Sequence, residues 1–144
     1  MSAAVEELVH ANLPYQHANA SPASDIAAIE ATVWTYLDGL YEGDTEKLAS
    51  AFHPVSHLYS DERGRVVDVS RDQWIEIVRR RPSPKSQGHP RHDRIVSIDQ
   101  AGPSTALVKC ECAVPPRYFV DYLTLIRTSE GWRVVAKTFM AEVR

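Results

Sequence analysis

A β-strand is predicted from the run Tyr118-Phe119-Val120-Asp121-Tyr122-Leu123-Thr124-Leu125-Ile126, in which Asp121 is the only acid. A bare carboxylate is costly to bury among apolar and aromatic side chains. It must find a partner, face a pocket or stay protonated. The next predicted strand offers a partner of opposite charge in Lys137. Asp121 therefore indicates a functional cavity.

The sequence around this strand predicts helices first and strands afterwards. Apolar residues recur at helical spacing from Ile26 to Leu40, a short second helix follows Asp44, and a capping box at 70–73 begins a third. Six strands are expected, at about residues 55–60, 65–69, 93–100, 105–114, 117–128 and 132–143. This order favours an α+β fold with one mainly antiparallel sheet packed against the helices.

Composition limits the class of protein. The 144 residues are 44% hydrophobic and 24% charged, which is typical of one soluble globular domain. A net charge of −3 gives no electrostatic case for nucleic acid or an anionic membrane as partner. No apolar run approaches the about 20 residues that span a bilayer. The acidic start does not resemble a signal peptide, so we expect a cytoplasmic protein.

Residues 1–23 are expected to form an N-terminal extension, and residues 24–144 a single domain. Cys110 and Cys112 stand two apart on one predicted strand and are expected to be reduced core residues. Two thiols alone do not form a structural zinc site, so neither a metal nor a cofactor is expected.

Three segments carry a family resemblance: Gly43-Asp44, Phe52-His53-Pro54, and the closing pattern that runs from Asp121-Tyr122-Leu123 to Lys137. With the order of elements, they resemble the SnoaL-like branch of the nuclear transport factor 2 superfamily, in particular the subgroup labelled "putative lumazine-binding". The resemblance covers about residues 24–143. It implies a cystatin-like cone, in which three N-terminal helices pack on a curved, mainly antiparallel six-stranded sheet. It also implies an apolar cavity at the wide end and a homodimer.

Members of that superfamily include isomerases, cyclases, dehydratases, epoxide hydrolases and non-catalytic modules, so the resemblance does not assign the chemistry. The isomerase branch places a hydrogen-bonding tyrosine at the position of Tyr36 and a neutral acid at about Asp121. Its catalytic base falls at Ser60, and serine cannot serve as that base. Asp61 beside it is an alternative if the register shifts.

His57 is the candidate general base, because histidine titrates near neutral pH. Tyr59 shares its strand face, where pocket-lining groups are expected. The alternative is a histidine with no catalytic role. The predicted catalytic residues are therefore His57, Asp121 and Tyr36. The predicted ligand-binding residues are Tyr59, Trp74, Phe119, Leu123, Lys137 and Phe139.

Two further features leave alternatives open. Strict alternation puts Lys137 on the same face as Arg133, Val135 and Phe139, where it could meet Asp121 as a functional or a merely structural ion pair. The basic segment from Arg79 to Arg94 could bind a phosphorylated or carboxylated ligand at the cavity rim, although a solvated loop is the favoured interpretation.

The sequence thus predicts a protein that binds a small apolar or aromatic organic ligand. If catalytic, it is a cofactor-free acid–base isomerase, dehydratase or cyclase. The alternative is a non-catalytic ligand-binding or dimeric interaction module. Neither nucleic acid nor a membrane is expected as partner.

Overall fold

A computed structural model describes residues 22–144. All but the last two residues of the predicted extension lie outside the described residues. The elements, in chain order, are α1 (Pro22–Glu42), α2 (Thr45–Ala51), β1 (Phe52–Glu62), β2 (Arg65–Ser70), α3 (Arg71–Arg80), β3 (Arg94–Ala101), β4 (Thr105–Val114), β5 (Arg117–Thr128) and β6 (Gly131–Val143). None of the helices in this range is both long and apolar enough to cross a membrane.

The strands form one six-stranded sheet in the order β2-β1-β6-β5-β4-β3. All neighbours are antiparallel except β1 and β6, which run parallel. The prediction of an α+β fold with a mainly antiparallel sheet is confirmed. The expectation of three N-terminal helices is wrong, since α3 follows the β1–β2 hairpin. The capping signal at its start comes directly after the second strand.

Local capping fixes where the shorter helices begin. The Asp44 side chain accepts hydrogen bonds from the backbone N–H groups of Glu46 and Lys47 at the start of α2. At the start of α3, the Ser70 hydroxyl accepts from the N–H of Gln73, and the Gln73 side chain accepts from the N–H of Ser70. The predicted capping box is therefore present.

The core lies between the helices and one face of the sheet, with α1 packed against β4 and β6. The buried residues of α1 fall at the helical spacing that the sequence shows: Ile29, Val33, Tyr36, Leu37 and Leu40. Leu123, Leu125 and Val134 cover them from the sheet and are fully buried.

A β-bulge in β6 turns Lys137 toward this core. Thr124 pairs with Ala136, but Leu125 pairs with Val134, so Val135 is an extra residue in the ladder. Because side chains alternate between faces, one extra residue reverses the face of every residue beyond it. Lys137 is thereby buried on the face of Val134. The expectation that it shares a face with Val135 and Arg133 is wrong, because it assumed unbroken alternation.

Gly39 provides a test of how closely α1 and α2 pack. A methyl group at this position would lie 2.9 Å from Leu48 Cδ2, 3.0 Å from Lys47 Cβ and 3.1 Å from the Asp44 carbonyl oxygen. We expect Gly39→Ala to lower the free energy of unfolding by about 1–2 kcal/mol, because overpacking outweighs the gain of about 1 kcal/mol in helix propensity. Denaturant unfolding measures this change.

Ala27→Gly serves as the control, since Ala27 is exposed on the same helix and reports helix propensity alone. A Gly39→Ala protein more stable than the parent would contradict the close packing.

Candidate functional site

Three side chains from different elements meet in the core and are called here the buried triad: Tyr36 of α1, Asp121 of β5 and Lys137 of β6. The Tyr36 hydroxyl donates to Asp121 Oδ2 at 2.5 Å, and Lys137 Nζ donates to the Tyr36 oxygen at 2.8 Å. Lys137 Nζ lies 3.8 Å from Asp121 Oδ2, as an ion pair. Tyr36 and Asp121 are fully buried, and Lys137 is 4% exposed.

Burial, and then the negative charge of Asp121, raise the pKa of Tyr36 well above its ordinary value. The phenol therefore keeps its proton and directs it at the carboxylate. Cys110 Sγ and Cys112 Sγ lie 3.8 and 3.6 Å from Asp121 Oδ2. Burial and the same charge raise the pKa of both thiols, which act as weak donors. Asp121 Oδ1 has no hydrogen-bond partner within residues 22–144.

Aromatic rings surround the ammonium group of Lys137. Its Nζ lies 4.9 Å from the ring centre of Phe139, 5.0 Å from those of Tyr36 and Trp74, and 5.9 Å from that of Phe119. The negative faces of aromatic rings attract cations at such distances. The rings and the Asp121 carboxylate therefore both attract the ammonium group.

Lys137 lies at the wall of a cavity of about 610 Å³. This volume falls within the range of ligand pockets in proteins. Its apolar wall includes Leu40, Leu58, Trp74, Ile77, Phe119 and Phe139. Tyr36 and Asp121 do not line it, so Lys137 is the member of the buried triad that a ligand would touch.

The structure brings four of the predicted ligand-binding residues to this wall: Trp74, Phe119, Lys137 and Phe139. Leu123 is fully buried beneath it. Tyr36 and Asp121 lie on the core side of Lys137 and are connected to the cavity through the contacts of that side chain.

His57 and Tyr59 do not line the cavity. Leu58 and Ser60 do, and the alternation of β1 places His57 and Tyr59 on the opposite face. His57 Nδ1 lies 2.5 Å from the Asp68 carboxylate on β2, with 41% of the side chain exposed. The expectation that these two residues face the pocket is wrong. Leu58, the apolar residue between them, was the signal for the inner face.

Sequence reasoning also missed charged residues of the wall. Arg117 and Glu62 line the cavity, together with Arg81 of the basic segment from Arg79 to Arg94. Strand alternation could have identified Glu62 from Leu58, since both have even numbers on β1. No local pattern marks Arg117. Within the described residues, no group of three or more His, Cys, Asp or Glu side chains could hold a metal ion.

Removing either charge of the buried triad should be strongly destabilising. We expect Asp121→Asn and Lys137→Met each to lower the free energy of unfolding by about 3–5 kcal/mol, because each leaves the opposite charge buried without a partner. The double variant should be more stable than the sum predicts, with a coupling of about 1–3 kcal/mol. Urea unfolding of the four proteins measures it, and strict additivity would show that the two residues do not interact.

The pH dependence of stability should report the buried phenol. Because the folded-state pKa of Tyr36 is raised above 10.0, the folded protein keeps a proton that the unfolded chain releases above that pH. This contribution is complete below pH 10 and is lost as pH rises toward the folded-state pKa. Cys110 and Cys112 act in the same direction from pH 9.0 upward.

We therefore expect the free energy of unfolding to fall between about pH 9 and pH 11, and to fall less steeply in Tyr36→Phe. Urea unfolding at a series of pH values measures the slope. An identical slope in the variant would mean that Tyr36 titrates alike in the folded and unfolded states.

Several known proteins resemble this chain in sequence or in fold. The aldolase FrzH of Cladobotryum sp is 25% identical over 118 residues, which are 81% of this chain and 90% of that protein. An NTF2-like protein of unknown function from Shewanella baltica OS155 superposes with a TM-score of 0.78 at 17% identity, covering 88% of this chain and 100% of that one. A cystatin-like fold protein from Burkholderia xenovorans LB400 gives 0.64 at 24% identity, covering 85% and 95%.

The two structures establish the fold, which is the cystatin-like fold of NTF2-like proteins. The family model described as "Putative lumazine-binding" matches residues 24–140 and so includes every strand almost to its end, together with all three members of the buried triad. The chain belongs to the family that this model describes as "Putative lumazine-binding".

Proposed function

We propose that this protein is a cofactor-free enzyme that binds a small apolar or aromatic carbonyl compound and moves a proton at the carbon beside the carbonyl group. The observation that supports it is the ammonium group of Lys137, held by Tyr36 and Asp121 at the wall of a cavity that combines apolar and charged side chains. Such a group is a hydrogen-bond donor of fixed position in surroundings from which water is largely excluded.

Lys137 would act on the carbonyl oxygen. Loss of a proton beside a carbonyl leaves negative charge on that oxygen, and a preorganised cation stabilises this enolate more than the neutral ketone. The ammonium group has three N–H donors. One is used by Tyr36 and one faces Asp121, which leaves the third for a ligand.

Tyr36 and Asp121 are positioning residues in this proposal. The carboxylate balances the charge of Lys137, and the phenol fixes the direction of its side chain. Without them the ammonium group would be free to turn toward solvent. They act through Lys137, because neither lines the cavity.

Glu62 is the proposed proton acceptor. It follows Leu58 and Ser60 on the cavity side of β1, whereas the carboxylate of Asp61 accepts a hydrogen bond from the Gly64 N–H in the hairpin turn at 2.8 Å. His57 is not used, since it lies on the other face of the strand. A carboxylate at the mouth of the cavity can exchange its proton with water between turnovers.

Isomerisation, dehydration, cyclisation and aldol addition can all proceed through an enolate, so one site of this kind suits each of them. The relative named an aldolase fits this group of reactions. In the structure Lys137 Nζ donates to Tyr36 and faces the Asp121 carboxylate, so we assign it the role of a hydrogen-bond donor and not that of a nucleophile. The proposal is therefore acid–base catalysis without a covalent intermediate.

A second function, ligand binding without turnover, is favoured by one observation. The acids of the cavity wall, Asp61 and Glu62, are exposed at its mouth, and Asp61 is engaged by the turn. If neither reaches the ligand, Lys137 would bind a carbonyl group without promoting a reaction.

The test is proton exchange. The purified protein is incubated in heavy water with aryl alkyl ketones, cyclic enones and 1,3-diketones, and exchange beside the carbonyl is followed by NMR. We expect the protein to accelerate proton exchange in at least one of these classes of ketone, compared with the same solution without protein. It should fall about 100-fold or more in Lys137→Met/Asp121→Asn, which removes both charges and leaves neither unpaired.

Lys109→Met is the control, because Lys109 lies against Tyr122 and does not line the cavity. An undiminished rate in the double variant would refute the proposed role of Lys137. Saturable binding of a ketone without any exchange would establish the non-catalytic function instead.

A further inference from the structure

Two arginine side chains converge on the cavity that Lys137 lines. Arg81 follows the last residue of α3, and Arg117 is the first residue of β5. Both line the cavity, although 35 positions of the sequence separate them. The fold therefore places two guanidinium groups at one cavity that already contains the ammonium group of Lys137.

Neither guanidinium has a carboxylate partner in the part of the chain that the structure describes. Within residues 22–144, neither Arg81 nor Arg117 has a carboxylate oxygen within 4.0 Å of its side-chain nitrogens. By contrast, Arg71 forms an ion pair with one aspartate and Arg91 forms ion pairs with two. Arg81 is also partly buried. Burial lowers its pKa, and the charge of Arg117 contributes in the same direction.

A partly buried cation beside a second cation is unfavourable unless an anion joins them. Guanidinium groups are planar and have five N–H donors, so two of them can enclose a carboxylate or phosphate through several charge-assisted hydrogen bonds. The apolar wall of the same cavity suits the rest of such a ligand.

We infer that Arg81 and Arg117 bind an anionic oxygen group of the ligand, such as a carboxylate or a phosphate. The ligand class is then an apolar or aromatic carbonyl compound with an acidic group at one end. This inference rests on the proposed function for the assignment of the cavity as a ligand site. It adds the group that orients the ligand, with its anionic end at the arginines and its carbonyl oxygen at Lys137.

Two fluorescent dyes of the same skeleton test the anion site without any need for turnover. The dye 8-anilinonaphthalene-1-sulfonate is an anion, and N-phenyl-1-naphthylamine is its neutral counterpart. We expect the wild-type protein to bind the anion about tenfold or more tightly than the neutral dye, with a preference that weakens as salt is added. Arg81→Gln/Arg117→Gln should abolish the preference and leave the affinity for the neutral dye unchanged.

Arg80→Gln is the matched control, because Arg80 precedes Arg81 but belongs to a different surface groove and is paired with Glu76. It should keep the preference for the anion. Arg117→Gln alone changes an exposed residue at the start of a strand, so its loss of preference would not be attributable to misfolding. Displacement of the bound anion by 2-naphthoate or by 2-naphthyl phosphate, with 2-naphthol inactive, identifies which anionic group the site prefers.

The inference is overturned if the wild-type protein binds the two dyes equally, binds neither, or loses the preference equally in Arg80→Gln. Its failure differs from failure of the proposed function. A dye preference that depends on Arg81 and Arg117 without proton exchange on any ketone would leave an anion-binding site in a non-catalytic protein. Proton exchange that is insensitive to both arginines would leave an enzyme without that site.

Discussion

The ion pair between Lys137 and Asp121, joined by the hydroxyl of Tyr36, is the interaction on which the rest of this structure depends. A carboxylate buried among leucines is tolerated only when donors of hydrogen bonds and a compensating charge are fixed around it. Here the hydrogen-bond donors come from α1 and β4, the carboxylate comes from β5, and the cation comes from β6. The packing of helix on sheet is therefore constrained by the geometry of three polar atoms as well as by apolar area.

The same interaction connects stability with the candidate site. Lys137 is attached to the core through Tyr36 and Asp121, yet its ammonium group also lines the cavity. A residue with both roles cannot be removed alone without leaving a buried charge, so a loss of activity in a single variant would be ambiguous. Removing both charges together separates the two roles. The aromatic rings around the ammonium group serve both as core and as cavity wall.

Much of the site could be predicted because its signals are local. The lone acid in an apolar strand identified Asp121, and its opposite charge on the next strand identified Lys137. Strict alternation then failed, because the extra residue Val135 in β6 changes which side chains face inward. On β1 the prediction chose the wrong face of the strand. It placed His57 on the inner face, whereas the structure places Leu58 there. A strand with polar residues on both faces does not show which face is buried.

The sequence by itself determined the types and order of the elements, the capping box that begins α3, the apolar stripe of α1 and the membership of the family. These features depend on periodicity and on contacts between residues a few positions apart, and such signals are visible in the sequence. Only the tertiary structure decided that Lys137 faces the cavity, that Tyr36 lies between it and Asp121, and that Arg81 and Arg117 line the same cavity. Those outcomes depend on strand register and on the approach of distant segments. One residue inserted in or deleted from a strand is enough to change which side chains face the core.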